Sequence, residues 1–135
     1  MGVRRKAREI ALQCLYQIEQ CGNQDVDIQQ MREHFEVSKK AVVYGQELIS
    51  GIKANLSEID GLIGQHAVNW RLDRMSVIDR NLLRIAVFEL VFSDDVPASV
   101  AINEAIEIAK RFSTPDSGSF LNGILDSIRR SSRTS

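Results

Sequence analysis

The chain has 135 residues, 44% of them hydrophobic, and a formal net charge of −1. This length suits one domain that buries about two thirds of the surface of the unfolded chain, and the near-neutral charge balance excludes a globally basic protein. No secretory signal is visible, and no apolar run reaches the roughly 18 residues of a membrane-spanning helix. We therefore expect a cytoplasmic protein that does not associate with membranes.

The charges are distributed unevenly along the chain. Residues 1–8 carry four cations and no acid, and residues 129–135 carry three more cations. The remaining 10 cations lie among all 18 acidic residues, which gives the body of the chain a net charge of −8. A polyanion such as RNA is therefore expected to bind only where the basic ends meet and to be repelled elsewhere.

The first helix is predicted from about Arg4 to Cys21, because Gly22 is suited to ending a helix. The cations at its start are Arg4, Arg5, Lys6 and Arg8. They lie at the positive end of the helix dipole, where each is unfavourable by roughly 0.3–1 kcal/mol at an exposed site. Since free N–H groups at a helix start favour anions, we interpret this segment as a phosphate-binding site, with a frayed, solvated terminus as the alternative.

The side of this helix away from its apolar face is not fully polar. Leu12 and Tyr16 lie near Arg5 there, with Arg8 at the border of the two faces. A cation beside an exposed aromatic ring would suit unstacked RNA bases. The alternative is that Leu12 and Tyr16 pack beneath another helix, and the pattern favours neither interpretation.

The next predicted helices serve as scaffold. The second carries Ile28, Met31 and Phe35 on one face. The third begins at Ser38, and the chain restarts as a fourth helix in the Asn55 to Ser57 region, where the sequence resembles a capping box.

Three residues that often mark binding sites are not assigned to one. His66 lies in no cluster of Cys, Asp or Glu at the spacing of metal ligands, whereas His34 stands near Glu33 and Glu36 on a face that the pattern indicates is polar. Both histidines are interpreted as structural or solvated. Trp70, in the connector after His66, is interpreted as a wedge between subdomains rather than as a platform for a ligand.

A central fifth helix is predicted after Ser76, which with Asp79 resembles a capping box. The segment that follows is apolar almost all round, as is typical of a buried helix. Arg84 and Glu89 inside it are expected to form internal ion pairs, because an unpaired buried charge is expensive. Asp79 and Arg80, at its start, are expected to be exposed and free to contact a partner.

The chain ends with two more predicted helices and a tail. The sixth helix follows the turn at Pro97 and pairs Glu107 with Arg111. Thr114 and Pro115 suit the start of the seventh helix. The domain is expected to span residues 1–130, and the Ser-rich residues 131–135 are expected to be disordered.

These patterns predict an all-α protein of about seven helices, because no segment shows the sustained alternation of a strand. The sequence shows no glycine-rich phosphate loop, no set of metal ligands and no plausible nucleophile with its base. We therefore expect no catalytic residue, no metal site, no cofactor and no enzymatic activity.

Five segments of the chain form a recognisable set. They are Arg4-Arg5-Lys6-Ala7-Arg8-Glu9, Asp79 to Leu90, Val96-Pro97, Val100 to Lys110 and Phe120 to Asp126. In these segments the sequence resembles the NusB family of bacterial transcription antitermination proteins. The similarity spans nearly the whole chain, and the run from Val100 to Lys110 is specific.

The resemblance implies two packed helical subdomains that form one compact domain. It also implies binding to the boxA sequence of nascent ribosomal RNA leaders together with ribosomal protein S10, so that RNA polymerase resists termination in ribosomal RNA operons. By position, the RNA-binding residues would be Arg4, Arg5, Lys6, Arg8, Tyr16, Asp116 and Phe120. The S10 interface would include Tyr16, Asp79 and Arg80. Association into a homodimer through the same edge is an open alternative.

One position departs from the family pattern. Many relatives carry a lysine just before the aromatic residue that matches Phe120, whereas Gly118-Ser119 precedes it here. The missing cation is expected to lower the RNA affinity of the isolated protein. Asp116 would repel phosphate, although its carboxylate can accept hydrogen bonds from base amino groups. The rival interpretation is a helical protein-interaction module whose basic ends are merely solubilising.

Overall fold

The computed structural model describes residues 2–22 and 38–133, and the chain divides into two compact units, Met1–Ala54 and Asn55–Ser135. Within the described residues all regular structure is helical and no strand occurs, which confirms the predicted all-α class. The predicted second helix with Ile28, Met31 and Phe35, and His34 within it, lie outside the described residues.

Six α-helices lie in the described ranges. Those of the first unit are α1 (Val3–Cys21) and α2 (Lys39–Ala54), and those of the second are α3 (Leu56–His66), α4 (Val77–Val87), α5 (Ala98–Phe112) and α6 (Ser117–Arg133). A 3-10 helix, Leu72–Arg74, precedes α4, and a π-helical turn, Phe88–Phe92, follows it. No helix in the described part of the chain is long and apolar enough to cross a membrane.

In the first unit, α1 and α2 pack along the apolar faces that their periodicity predicts. Ala7, Ile10 and Cys14 of α1 form one buried cluster with Ala41 and Val42 of α2. Apolar residues at this spacing lie on one side of a helix, so the two faces exclude water from each other.

The end of α1 and the start of α2 lie where the sequence predicts them. Gly22 adopts a left-handed conformation with φ of 67° and donates its N–H to the carbonyl oxygen of Ile18 over 3.0 Å. A residue with a Cβ is strained in this conformation, which explains the glycine. At the start of α2, the N–H of Ala41 donates to the hydroxyl of Ser38 over 3.2 Å.

In the second unit, α4 is the central helix, as predicted. Its apolar residues Leu82, Leu83, Ile85, Ala86 and Val87 are each at most 2% exposed, and α3, α5 and α6 all contact it. The predicted cap is also present, because the N–H of Asp79 donates to the hydroxyl of Ser76 over 3.1 Å.

A bidentate ion pair joins α3 to α4. Arg84 donates from Nε to Oδ1 of Asp60 over 2.8 Å and from Nη2 to Oδ2 over 2.9 Å. Its Nη1 donates to Oδ1 of Asn81 over 3.0 Å. The internal ion pair predicted for Arg84 is confirmed, and Glu89, in the π-helical turn, is fully buried.

Two predicted helix starts differ from the structure. Ser57 is not a cap: α3 begins at Leu56, with Asn55 at the cap position, so Ser57 lies inside the first turn. α6 begins at Ser117 rather than at Pro115, after a turn closed by the Ser117 N–H and the carbonyl oxygen of Thr114 over 3.1 Å. In both places the side-chain pattern identified the turn and missed the residue at which the helix begins.

The last helix runs past the predicted end of the domain at residue 130. α6 reaches Arg133, so residues 131–133 are helical where the sequence predicts disorder, and residues 134–135 lie outside the described residues. Asp126 pairs with Arg129 over 2.8 Å and with Arg130 over 3.5 Å, at the spacings that support a helix.

Replacing Asp60 by Ala is expected to lower the free energy of unfolding by about 1.5–3 kcal/mol, because the half-buried guanidinium of Arg84 loses two charge-assisted hydrogen bonds. Urea unfolding followed by circular dichroism measures this loss.

A matched control is Asp73→Ala, which removes the ion pair between Asp73 and Arg71. The side chain of Asp73 is 66% exposed and that of Arg71 is 73% exposed. That pair is expected to contribute less than about 1 kcal/mol. Equal losses for the two variants would contradict the importance of the Asp60 to Arg84 pair.

Candidate nucleic-acid interface

The basic head, defined as Arg4, Arg5, Lys6 and Arg8, occupies the start of α1. The first turn of this helix contains no acidic residue, and the residue at its cap position, Gly2, makes no side-chain cap. Arg4 is exposed, Arg5 and Lys6 are half-buried, and Arg8 is only 3% exposed. Lys6 lies 3.8 Å from the carboxylate of Glu9. The head therefore presents Arg4, with parts of Arg5 and Lys6, while Arg8 is an interior residue.

Tyr44 on α2 organises the head. The guanidinium carbon of Arg4 lies 4.5 Å from the centroid of the Tyr44 ring, and that of Arg8 lies 5.9 Å from it. Both distances fall within the range of cation–π attraction. The ring is itself partly buried against the apolar cluster of α1 and α2. Sequence reasoning missed Tyr44, although its spacing of three from Ala41 places it at the edge of the apolar face of α2.

The alternative interpretations of Leu12 and Tyr16 have different outcomes. Leu12 is 3% exposed and belongs to the interior, whereas Tyr16 is 41% exposed. Only Tyr16 therefore offers an accessible ring on α1.

In the second unit, Asp116 and Phe120 lie one helical turn apart at the start of α6. The N–H of Phe120 donates to the carbonyl oxygen of Asp116 over 3.2 Å. Asp116 is exposed and Phe120 is half-buried. The structure therefore brings these two predicted RNA-contacting residues together.

Trp70 is a further member of this surface that sequence reasoning did not assign to it. Its ring centroid lies 5.5 Å from that of Phe120, with the ring planes inclined by 74°, which is an edge-to-face pair. Trp70 is 53% exposed, so it does not have the burial of a wedge. Sequence reasoning could not place Trp70 here, because its position between two apolar segments does not reveal its exposure. Its contact residue Phe120 also lies 50 residues further along the chain.

A cavity of about 240 Å³ opens beside the two rings. Trp70, Phe120, Arg74 and Asp116 are among the residues that line it. Its lining thus combines aromatic surface, a cation and a carboxylate.

Asp79 and Arg80 are not free, which corrects the sequence-based expectation. Asp79 is half-buried and accepts hydrogen bonds from the hydroxyls of Ser113 and Ser117 over 2.6 and 2.9 Å. Arg80, also half-buried, donates to the carbonyl oxygens of Leu72 and Met75 over 2.7 and 3.2 Å. The expectation failed because the residues that engage these side chains come from other elements of the second unit, which the local pattern at the helix start cannot show.

The position at which the family resemblance predicts a lysine is accessible. Ser119 is exposed, so a longer side chain there would enter solvent. A Cβ on the neighbouring Gly118 would instead lie 3.4 Å from Cγ2 of Ile106, which is a tight contact. A larger side chain is therefore easier to accommodate at Ser119 than at Gly118.

Within the described residues, no three His, Cys, Asp or Glu side chains are placed to hold a metal ion. His66 has a structural contact instead, since its Nδ1 lies 2.7 Å from the hydroxyl of Ser127.

Each of the two units contains predicted site residues. In the first unit, Arg4 and Arg8 meet at Tyr44. In the second unit, Asp116 and Phe120 meet at the cavity beside Trp70, which Asp79 also lines. Aromatic rings near cations, as at Tyr44 and at the cavity lined by Trp70 and Arg74, are features of a nucleic-acid-binding protein.

Comparison with known proteins identifies the family. The NusB family pattern matches residues 5–130. The transcription antitermination protein NusB of Desulfotalea psychrophila (strain LSv54 / DSM 12343) is 49% identical over an alignment of 136 positions, and the alignment covers 96% of each chain. The chain belongs to the NusB family, whose members act in transcription antitermination and not as enzymes.

Solved structures share the fold. T. maritima NusB superimposes with a TM-score of 0.82 at 46% sequence identity, covering 94% of this chain and 90% of that one. A crystal structure of the antitermination factors NusB and NusE in complex with double-stranded RNA gives a TM-score of 0.86 at 26% identity, covering 97% and 98% of the two chains.

The contact between Arg4 and Tyr44 is expected to appear as coupling in a double-mutant cycle. Arg4→Ala and Tyr44→Leu should together cost less unfolding free energy than the sum of the single changes, by about 0.5–1 kcal/mol, because either change alone removes the same cation–π contact. Urea unfolding of the four proteins measures this term. A control cycle pairs Arg4→Ala with Val43→Ala, at a residue that is 49% exposed, and its two effects on unfolding free energy should add. If the effects of Arg4→Ala and Tyr44→Leu also add, the contact between Arg4 and Tyr44 is contradicted.

Proposed function

We propose that the chain binds single-stranded boxA-type RNA in nascent ribosomal RNA leaders together with ribosomal protein S10, as part of an RNA polymerase antitermination complex in the cytoplasm. The observation that carries this proposal is the basic head, with Arg4 stacked on Tyr44 at an uncapped helix start. The solved complex of a NusB with NusE, which is S10, and double-stranded RNA supports RNA and S10 as the two classes of partner.

The proposed RNA contact begins at the basic head. Arg4, Arg5 and Lys6 are assigned to phosphate groups because they are the exposed and half-buried cations of the head. Arg8 is assigned a positioning role, since its guanidinium is buried and faces the Tyr44 ring. Because the body of the chain is acidic, attraction is local and weakens steeply with salt.

Discrimination between RNA sequences is assigned to aromatic and carboxylate groups. Tyr16 and Phe120 supply rings on which unstacked bases can lie, and Asp116 supplies an acceptor for base amino groups. Phosphate contacts position a nucleic acid, whereas contacts with bases specify it. If this chain supplies only some of these contacts, its affinity for RNA should rise when S10 is also bound.

The proposed S10 surface includes Tyr16, Asp79 and Arg80. Tyr16 is exposed and available. Asp79 and Arg80 also hold the start of α4 through internal hydrogen bonds, so a change at either tests local structure as well as S10 binding. A homodimer that uses the same surface would compete with S10, and the mass of the protein in solution with and without S10 distinguishes the two assemblies.

Removing the exposed part of the basic head is expected to weaken RNA binding without unfolding the protein. The triple variant Arg4→Ala, Arg5→Ala, Lys6→Ala should reduce the slope of log affinity against log salt concentration by about 2, at about 0.7 per phosphate contact with a single strand. Fluorescence anisotropy of a labelled boxA-type RNA at several salt concentrations measures the slope. The matched control removes three scattered exposed cations, Lys39, Lys53 and Lys110. Equal slopes for both triple variants would refute the assignment of the head, and unchanged binding would favour the protein-interaction module.

Restoring the family lysine is expected to strengthen RNA binding. Ser119→Lys places a cation on exposed surface beside Phe120, so affinity at low salt should rise several-fold and the salt slope by about 0.7. The control Gln65→Lys adds the same charge at an exposed residue of α3. If both variants gain equally, the effect reflects net charge and not a site next to Phe120.

A further inference from the structure

The cavity beside Trp70 has the size of a small subsite. Its volume of about 240 Å³ lies below the roughly 300–1,000 Å³ of pockets for drug-sized ligands. It can therefore receive one flat ring system but not a large cofactor. All the residues that line it belong to the second unit.

The aromatic pair leaves a stacking face open. In an edge-to-face pair one ring offers its edge and the other offers one face, so at least one face of Trp70 is not covered by Phe120. Trp70 is 53% exposed. A large aromatic surface held at a fixed angle and left in contact with water is suited to stacking a base.

The charged groups of the lining favour a nucleotide over an apolar side chain. Arg74 is exposed and supplies a cation for phosphate. Of the two carboxylates, Asp79 already accepts two hydroxyl hydrogens. The exposed Asp116 is therefore assigned as the acceptor for a ligand, and base amino groups are suitable donors.

We infer that this cavity receives one unstacked base of the bound RNA strand, stacked on Trp70 and donating an exocyclic amino hydrogen to Asp116. The inference rests on the proposed function and deepens it. It adds Trp70 as a base-binding residue and Arg74 as a phosphate-binding residue, and it selects adenine, cytosine or guanine over uracil at one position of the strand.

Trp70 supplies its own test, because it is the single tryptophan of the chain. A labelled single-stranded boxA-type RNA is titrated at low salt, and the anisotropy of the label and the tryptophan emission are recorded together. Stacking of a base should quench the emission in parallel with binding. A series of RNAs carries one abasic nucleotide each, at successive positions of the strand. The RNA that lacks the base stacked on Trp70 should bind without quenching and with an affinity reduced by roughly 5- to 100-fold.

Protein variants test the same contact by affinity alone. Trp70→Ala should reduce RNA affinity by roughly 5- to 100-fold, while Trp70→Phe retains most of it. Val68→Ala is the matched control, because Val68 is 75% exposed in the same connector and does not line the cavity. Replacing the amino base by its analogue without the amino group should weaken binding to the wild type several-fold and leave binding to Asp116→Ala unchanged.

The outcomes separate this inference from the proposed function. If RNA binds without quenching, and Trp70→Ala binds as tightly as the wild type, the base pocket is refuted while RNA binding stands. If no RNA binds at low salt with or without S10, both are refuted. Quenching by S10 alone, with no further change on adding RNA, would assign the cavity to the protein partner and refute the base pocket. Should Trp70→Ala fail to fold by circular dichroism, the abasic series on the wild type still decides.

Discussion

The two hydrogen bonds that Asp79 accepts hold together the part of the second unit that carries Asp116 and Phe120. Its carboxylate, at the start of α4, joins Ser113 and Ser117, which flank the turn between α5 and α6. Asp116 lies on that turn and Phe120 one turn beyond it, so their positions depend on where the carboxylate is held. The cap on Ser76 fixes the backbone of Asp79 itself. A half-buried carboxylate is stable only when such donors replace water, and here the donors also define the turn.

The positions of helices and the faces they bury were predictable where they depend on residues close together in the sequence. Gly22, Ser38 and Ser76 each act at a helix end through groups three or four residues away, so their roles can be read from short patterns. Periodicity likewise placed α4 at the centre of the second unit, because a helix that is apolar almost all round must be covered on all sides. The same reasoning required a partner for Arg84, although it did not identify Asp60.

The candidate site was less predictable because its contacts join distant parts of the sequence. Tyr44 meets Arg4 across 40 residues, and Trp70 meets Phe120 across 50. No periodic pattern records such distances. This explains why Tyr44 was missed, why Trp70 was interpreted as a wedge, and why Asp79 was expected to be free. The family resemblance supplied the RNA and S10 assignments, while Arg8 shows its limit: the position matches a basic motif, yet the side chain is 3% exposed.

The stacking of Arg4 on Tyr44 has a consequence for the entropy of association. A free arginine side chain carries about 2 kcal/mol of rotamer entropy, which a phosphate contact would have to remove. Here the aromatic ring restricts the guanidinium before any ligand arrives, so part of that ordering takes place during folding. A basic segment that was disordered until it met RNA would carry the same charge but would bind it more weakly. If Arg4 contacts phosphate as proposed, the contact with Tyr44 lowers the entropic cost of binding the strand.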